Sequence, residues 1–143
     1  MRYVVVGALA VSLLCPVMLM AQAKAPAAGA SLGTVTLSRR VMADGQLLPA
    51  GAYQVRLTAD APSPLVGQSP DASRYVEFLR GGKVVGRALA TVISNADASQ
   101  VVKGPRPSAG GSRVELLKGN DYVRVWINRS GTNYLIHMPP AAS

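Results

Sequence analysis

Residues 113–138 alternate between apolar and polar side chains, and this alternation restricts what the end of the chain can fold into. Three short segments, residues 113–118, 122–129 and 132–138, have the pattern of half-buried strands. Gly119-Asn120 separates the first two segments and Ser130-Gly131 the last two. Such dipeptides favour the tight turns of β-hairpins. The pattern therefore predicts three consecutive antiparallel strands.

The same two turns predict the register of these strands. Residues that lie opposite each other in an antiparallel pair point to the same face of the sheet. With two-residue turns, one face becomes apolar throughout, whereas a shift of one residue would scatter its members over both faces. The predicted apolar face consists of Val114, Leu116, Val123, Val125, Ile127, Tyr134, Ile136 and Met138.

Short runs of the same kind recur upstream and predict further strands. Residues 34–42 alternate at their start, and residues 53–57 alternate throughout, with Tyr, Val and Leu on one face. Residues 74–80 and 83–94 flank Gly81-Gly82, which is another hairpin signal. No segment shows a sustained helical period.

Turn-forming residues divide these runs and set the predicted fold class. Asp44-Gly45 and Leu48-Pro49-Ala50-Gly51 are typical turn sequences, and residues 60–73 and 96–111 are rich in Pro and Gly and are predicted loops. About seven strands without a helix predict an all-β domain over residues 34–143. The expected architecture is a two-layer antiparallel β-sandwich, and a small open barrel is the alternative.

The chain starts with an apolar run, residues 3–21, which follows the positive charge of Arg2. Ala21-Gln22-Ala23 at its end has the small-x-small pattern of a signal-peptide cleavage site. We interpret residues 1–23 as a helical, cleaved signal peptide and residues 24–33 as a flexible leader. A retained membrane anchor is the alternative, because an apolar run of this length nearly spans a bilayer.

Export has consequences for the chemistry of the chain. The only cysteine, Cys15, lies inside the predicted signal, so the mature chain would have no disulfide, thiolate nucleophile or cysteine–zinc site. The predicted location is the bacterial periplasm or the medium. After cleavage the chain would not be an integral membrane protein.

Two stretches carry a resemblance to a known group of proteins. Leu48-Pro49-Ala50-Gly51-Ala52-Tyr53-Gln54-Val55 places a turn directly before a strand, and residues 76–85 form the hairpin around Gly81-Gly82. Both stretches resemble small exported bacterial proteins with immunoglobulin-like or transthyretin-like sandwiches. The resemblance implies the fold, and it carries over no functional residue.

The chain is basic, with 15 Lys and Arg against 7 Asp and Glu and a formal net charge of +8. A basic domain favours an anionic partner. For an exported protein, we expect an anionic glycan or another envelope component rather than nucleic acid. The cations are scattered, since only Arg39-Arg40 are adjacent, and solubility alone is the alternative explanation of the charge.

The residue types that catalysis and metal binding require are sparse. His137 is the only histidine, and the predicted register places it beside Arg124 and Glu115, with no hydroxyl to complete a catalytic triad. The acidic residues are scattered and lie mostly in predicted turns and loops, which argues against paired catalytic carboxylates or a calcium loop. We therefore expect no catalytic residue, no metal and no cofactor.

The face opposite the apolar one carries the candidate ligand-binding residues. The register places Arg113 beside Trp126, and Glu115 beside Arg124 and His137. Aromatic rings on a flat sheet face can stack on sugars, and arginines can bind carboxylate or phosphate groups. The candidate set is Trp126, Tyr122, Arg113, Arg124 and His137.

This constellation has a structural alternative. Trp126 can belong to the core, or Arg113 can stack on its ring as a cation–π pair. We expect a half-covered ring beneath Arg113. The leading functional hypothesis is an exported, non-catalytic structural or interaction module of the cell envelope. The second hypothesis is a glycan- or polyanion-binding module that uses the Trp126 sheet face.

Signal cleavage is tested by N-terminal sequencing of the protein recovered from the periplasm or medium of a bacterial host. We expect the mature chain to begin at Lys24, within a residue or two, because cleavage follows the small-x-small site. An intact Met1 on the exported protein would contradict cleavage.

Overall fold

The structure, a computed structural model, describes residues 29–142. The predicted signal peptide and residues 24–28 of the predicted leader lie outside the described residues. The described part consists of nine strands and one short α-helix. They are β1 (Ser31–Leu37), β2 (Val41–Ala43), β3 (Gln46–Leu48), β4 (Gly51–Leu57), β5 (Ser73–Arg80), β6 (Lys83–Ser94), α1 (Asn95–Val101), β7 (Ser112–Leu116), β8 (Val123–Arg129) and β9 (Thr132–Met138).

Seven strands form one antiparallel sheet in the order β1-β4-β5-β6-β9-β8-β7, and β2 and β3 form a separate hairpin. The sheet curls until its edge strands approach each other, and the Ser112 hydroxyl of β7 donates a hydrogen bond to the Thr34 carbonyl of β1 over 3.1 Å. The expected all-β class is confirmed, with nine strands in the described residues instead of about seven: the predicted run 34–42 is divided between β1 and β2, and β3 was not predicted. The seven strands share one nearly closed sheet rather than two separately bonded layers, which is closer to the open-barrel alternative.

The predicted register of the last three strands is confirmed. Arg113 pairs with Trp126 and Val114 with Val125 between β7 and β8, and Val125 pairs with Ile136 between β8 and β9. Ser130 and Gly131 both have positive φ, as a tight hairpin turn requires. The turn between β7 and β8 is longer than expected and contains a 3₁₀ turn over Lys118–Asn120. It leaves the pairing unchanged because it adds two residues on each side of Gly119-Asn120.

The inner face of the curled sheet holds one apolar core. Val125, Ile127 and Ile136 are fully buried there, and the Tyr53 and Phe78 rings meet edge to face with centroids 6.2 Å apart. Leu116 of the predicted apolar face is exposed, because β7 is an edge strand. Burial of these side chains away from water is the main force that stabilises the fold.

The two ends of the curled sheet are closed by different elements. Because neighbouring strands are antiparallel, the β5–β6 and β7–β8 turns lie at the end where β1 and β9 finish. The β2–β3 hairpin covers this end, and its Leu48 packs so closely on Gly86 that a Cβ there would lie 2.8 Å from the leucine. We call it the hairpin end. The other, the helix end, carries residues 58–72, α1 and the β8–β9 turn.

The sheet begins earlier than the sequence pattern indicates. β1 starts at Ser31 rather than at residue 34, and Leu32 is buried in the core. Gly29 belongs to the same ladder, since its N–H donates to the Leu57 carbonyl over 2.7 Å. The alternation is hidden because the register shifts between Ser31 and Gly33, where Gly33 adopts a positive φ of 119°. Residues 29–33 are therefore not part of a flexible leader.

The expectation of an all-strand domain without a helix is wrong at α1, which lies in the predicted loop 96–111. Ser94 caps the helix: its hydroxyl accepts a hydrogen bond from the Asp97 N–H and donates one to the Asp97 carboxylate. Ser-x-x-Asp is a capping signal, but a helix of two turns is too short to show a helical period. Within residues 29–142, no helix is long and apolar enough to cross a bilayer.

The register predicts unequal costs for a carboxylate on the two faces of the sheet. Val125→Asp places an unpaired charge in the core, so we expect the free energy of unfolding to fall by about 4 kcal/mol or more. Thr91→Asp introduces the same group on the exposed outer face of β6 and should cost about 1 kcal/mol or less. Urea unfolding measures both, and similar midpoints for the two variants would contradict the register.

Candidate functional site

Trp126 lies on the outer face of β8, as the register predicts, but it is covered. Its ring is 1% exposed and packs in a second apolar cluster with Ala98, Val102 and Leu135. The cover is α1 and the residue that follows it, so the helix that the sequence pattern missed determines where the ring lies. The expected half-covered ring beneath Arg113 is therefore wrong.

The polar edge of the indole is satisfied within the protein. Its Nε1–H donates to the Asn133 side-chain oxygen over 2.8 Å, and the Asn133 amide nitrogen donates to the Asn95 side-chain oxygen over 2.8 Å. Asn95 is the first residue of α1, and Asn133 is fully buried. The chain of hydrogen bonds thus ties the ring through β9 to the helix. A buried amide must keep both partners, because an unpaired one costs about 1–3 kcal/mol.

Arg113 supports the loop that follows α1. One guanidinium N–H donates to the Pro105 carbonyl over 3.0 Å, and Nε lies 2.8 Å from a Glu115 oxygen. Asn128 anchors the same loop by donating to the Pro107 carbonyl over 2.9 Å. Arg113 therefore holds the loop over the sheet face instead of stacking on Trp126.

Arg124 is directed at the same carboxylate. Its guanidinium bonds the second oxygen of Glu115, and its side chain is 13% exposed. Glu115 thus receives one arginine on each oxygen, an arrangement that orients both guanidinium groups. The two cations neutralise a carboxylate of their own chain, which reduces their attraction for an external anion.

His137 and Tyr122 are exposed, and the Arg113 side chain is 40% exposed although it is paired. Partial desolvation, and then the neighbouring Arg124 charge, lower the pKa of His137 below its ordinary value of 6.5. The imidazole is therefore neutral at pH 7. Tyr122 lies next to the β7–β8 turn, at the hairpin end, and is 47% exposed. The structure does not bring either side chain onto the Trp126 ring.

The five candidate residues therefore do not form one open surface. Trp126 is sealed, Arg113 and Arg124 are paired, and His137 and Tyr122 lie farther along the strands. Among residues 29–142, no three metal-ligating side chains of the His, Cys, Asp and Glu type come together.

The residues that matter most in this region were not candidates from the sequence. Asn133 interrupts the apolar positions of β9, and Ala98 provides the buried contact of α1. A polar amide inside a strand of buried residues is one signal of a specific hydrogen bond. The Ser94-x-x-Asp97 cap is the other, because it predicts a helix start directly after β6.

Two of the open depressions that residues 29–142 form are distinguished by their lining residues. One, of about 280 Å³, is apolar and lies between the Pro-rich segment of residues 62–70 and Leu89 of β6. The other, of about 350 Å³, lies at the hairpin end. It is lined by Arg39, Arg40, Ala50, Pro140 and Ala141.

Comparison of the chain with protein-family models, with curated proteins and with solved structures gives no match.

The burial of Trp126 depends on α1, which a single substitution can displace. Ala98 is fully buried against the sheet, so Ala98→Arg cannot keep the helix in place, whereas Gln100→Arg changes an exposed position of the same helix. Trp126 is the only tryptophan, so its fluorescence reports the ring directly. We expect blue-shifted emission resistant to acrylamide in the native protein and in Gln100→Arg, and red-shifted, quenchable emission in Ala98→Arg. Strong quenching of the native protein would contradict the buried ring.

Proposed function

We propose that this chain is an exported, non-catalytic protein that acts as an interaction module of the bacterial cell envelope, in the periplasm or outside the cell. The signal-like segment before residue 24 and the resemblance to small exported bacterial β-sandwich proteins support the location. We also propose that the curled sheet is a variant of the immunoglobulin-like or transthyretin-like sandwich, with its opposite walls in place of two layers.

The non-catalytic part of the proposal is supported by one observation: polar and charged side chains on the outer face of the sheet are paired with each other. Trp126 donates its N–H to Asn133, and Arg113 and Arg124 both bond Glu115. An active site needs reactive groups that a substrate can reach, in a cleft where their chemistry is not already satisfied by the protein. On this face, Trp126 and Arg113 instead hold α1 and its loop against the sheet.

The second hypothesis, a glycan platform on the Trp126 face, loses its central ring. Sugar stacking needs an accessible aromatic surface, and this ring is 1% exposed. The polyanion part of that hypothesis does not depend on the ring, because it rests on the formal net charge of +8 of the full sequence.

An envelope role predicts a measurable distribution of the protein. The full chain is produced in a bacterial host, and the control is a chain that starts at Lys24 and therefore lacks the signal. We expect the full chain in the periplasm or medium, and we expect the purified exported protein to co-sediment saturably with envelope fragments. The control should remain in the cytoplasm.

Retention of the full chain in the cytoplasm would contradict export. An exported protein that leaves all envelope fragments unbound would contradict the interaction module.

A further inference from the structure

Folding brings several cations that are scattered in the sequence together at the hairpin end. Each belongs to a turn or connection that the antiparallel topology places there: the segment after β1, the β5–β6 turn and the β7–β8 turn. In the described residues, this end carries two carboxylates, Asp44 and Asp121, in its turns. Its cations are Arg39, Arg40, Arg80, Lys83 and Lys118.

These cations differ from the arginines on the walls of the sheet. On the walls, Arg56 lies 2.7 Å from Glu77, Arg87 lies 3.3 Å from Asp60, and Arg113 and Arg124 share Glu115. Within residues 29–142, none of the five cations of the hairpin end has a carboxylate within 4.0 Å. In the described part of the chain, the helix end also carries cations without a carboxylate within 4.0 Å, namely Arg74, Lys103, Arg106 and Arg129, but it holds three carboxylates, Asp60, Asp71 and Asp97. Among residues 29–142, the excess of positive charge is therefore larger at the hairpin end.

Two of these arginines line a preformed depression. Arg39 and Arg40 border the opening of about 350 Å³, opposite Pro140 and Ala141. The backbone is fixed there, because the Ala141 N–H donates to the Arg40 carbonyl over 3.0 Å and Val41 bridges Pro140. The Arg40 guanidinium also donates to the Ala142 carbonyl over 3.4 Å. Phosphate oxygens are suitable ligands for guanidinium groups such as those of Arg39 and Arg40.

A third arginine, Arg80, lies beside a glycine at the same end of the sheet. The Arg80 guanidinium lies 5.2 Å from the centre of the Tyr53 ring and beside Gly51, where an added side chain would displace the end of the arginine. Gly51 has a positive φ of 143°, so the backbone also favours glycine at this position. Ala50, its neighbour, lines the depression with Arg39 and Arg40. The connection between β3 and β4 thus separates the depression from Arg80.

Exposed apolar side chains accompany the cations. Leu47 of the β2–β3 hairpin is 49% exposed, and Val84 at the start of β6 is 47% exposed. Both lie at the hairpin end. A soluble anionic polymer provides no apolar phase for such side chains, whereas the interface of an anionic bilayer accepts cations at its headgroups and apolar side chains just below them.

We propose that the hairpin end docks on an anionic lipid surface, with Arg39 and Arg40 on lipid phosphate groups and Leu47 and Val84 in the interface. The proposal rests on the proposed function for the presence of the protein in the envelope. It is carried independently by the cations of the hairpin end, which have no carboxylate within 4.0 Å among residues 29–142, and by the exposed apolar side chains of that end.

The test uses the exported, signal-cleaved protein and co-sedimentation with phosphatidylcholine vesicles, with and without phosphatidylglycerol. We expect binding to the vesicles that contain phosphatidylglycerol and no binding to vesicles of phosphatidylcholine only. This binding should weaken as the salt concentration rises. Arg39→Gln with Arg40→Gln should lower the partition coefficient roughly 25-fold, since each cation near the surface contributes about fivefold. Leu47→Ser should also weaken vesicle binding, without changing the binding of soluble dextran sulfate.

The matched control is Lys103→Gln with Arg129→Gln, which removes the same charge from exposed positions at the helix end. It should change the partition coefficient less than about twofold if the surface is oriented, and the unfolding midpoints of all variants confirm that they are folded. Equal losses in the two double variants would overturn the docking surface and indicate attraction by net charge alone.

Three further outcomes would also overturn it. They are binding to dextran sulfate but not to vesicles, release from vesicles by inorganic phosphate at constant ionic strength, and equal binding to neutral vesicles. If the exported chain sediments with envelope fragments but does not bind vesicles, the proposed function stands and the lipid docking surface fails.

Discussion

The central part of β8 and β9 is apolar on both faces of the sheet. The rest of the structure depends on covering these two faces. The inner face carries Val125 and Ile136, and the outer face carries Trp126 and Leu135, all of them buried. A single sheet can bury its inner face by curling on itself, but the outer face needs another element. α1 supplies that element, and the Trp126–Asn133–Asn95 hydrogen bonds fix its position.

This arrangement decides which chemistry the molecule presents to solvent. On the outer face, Trp126 and Arg113 secure α1 and the loop behind it, and Glu115 pairs with both Arg113 and Arg124. The cations of the hairpin end have no such structural partners in the described part of the chain. Among residues 29–142, the structure therefore separates walls with internally paired charges from two ends with available ones, and the hairpin end has the larger excess of cations, although the sequence shows no basic tract.

Local patterns were sufficient to predict most of the strands and the two pairings among the last three strands, because short turns fix the register of the hairpins they join. They did not predict β3. The near closure of the sheet was beyond such patterns, since it depends on the approach of β1 and β7 from opposite parts of the chain. The burial of Trp126 was missed for a related reason: α1 is too short to show periodicity, and only Ser94 and Asp97 signal it. Of the five candidate site residues, the face of each was predictable from the register, but its accessibility was not.

Hydrogen exchange of the Trp126 indole N–H tests the central claim most directly, because this group is both buried beneath α1 and bonded to Asn133. The single indole resonance in a ¹H–¹⁵N spectrum identifies the group without ambiguity. The account predicts exchange far slower than that of free tryptophan, at a rate that follows the opening of the structure. Exchange close to the rate of free tryptophan would show that the ring is accessible to solvent and that α1 does not cover the outer face.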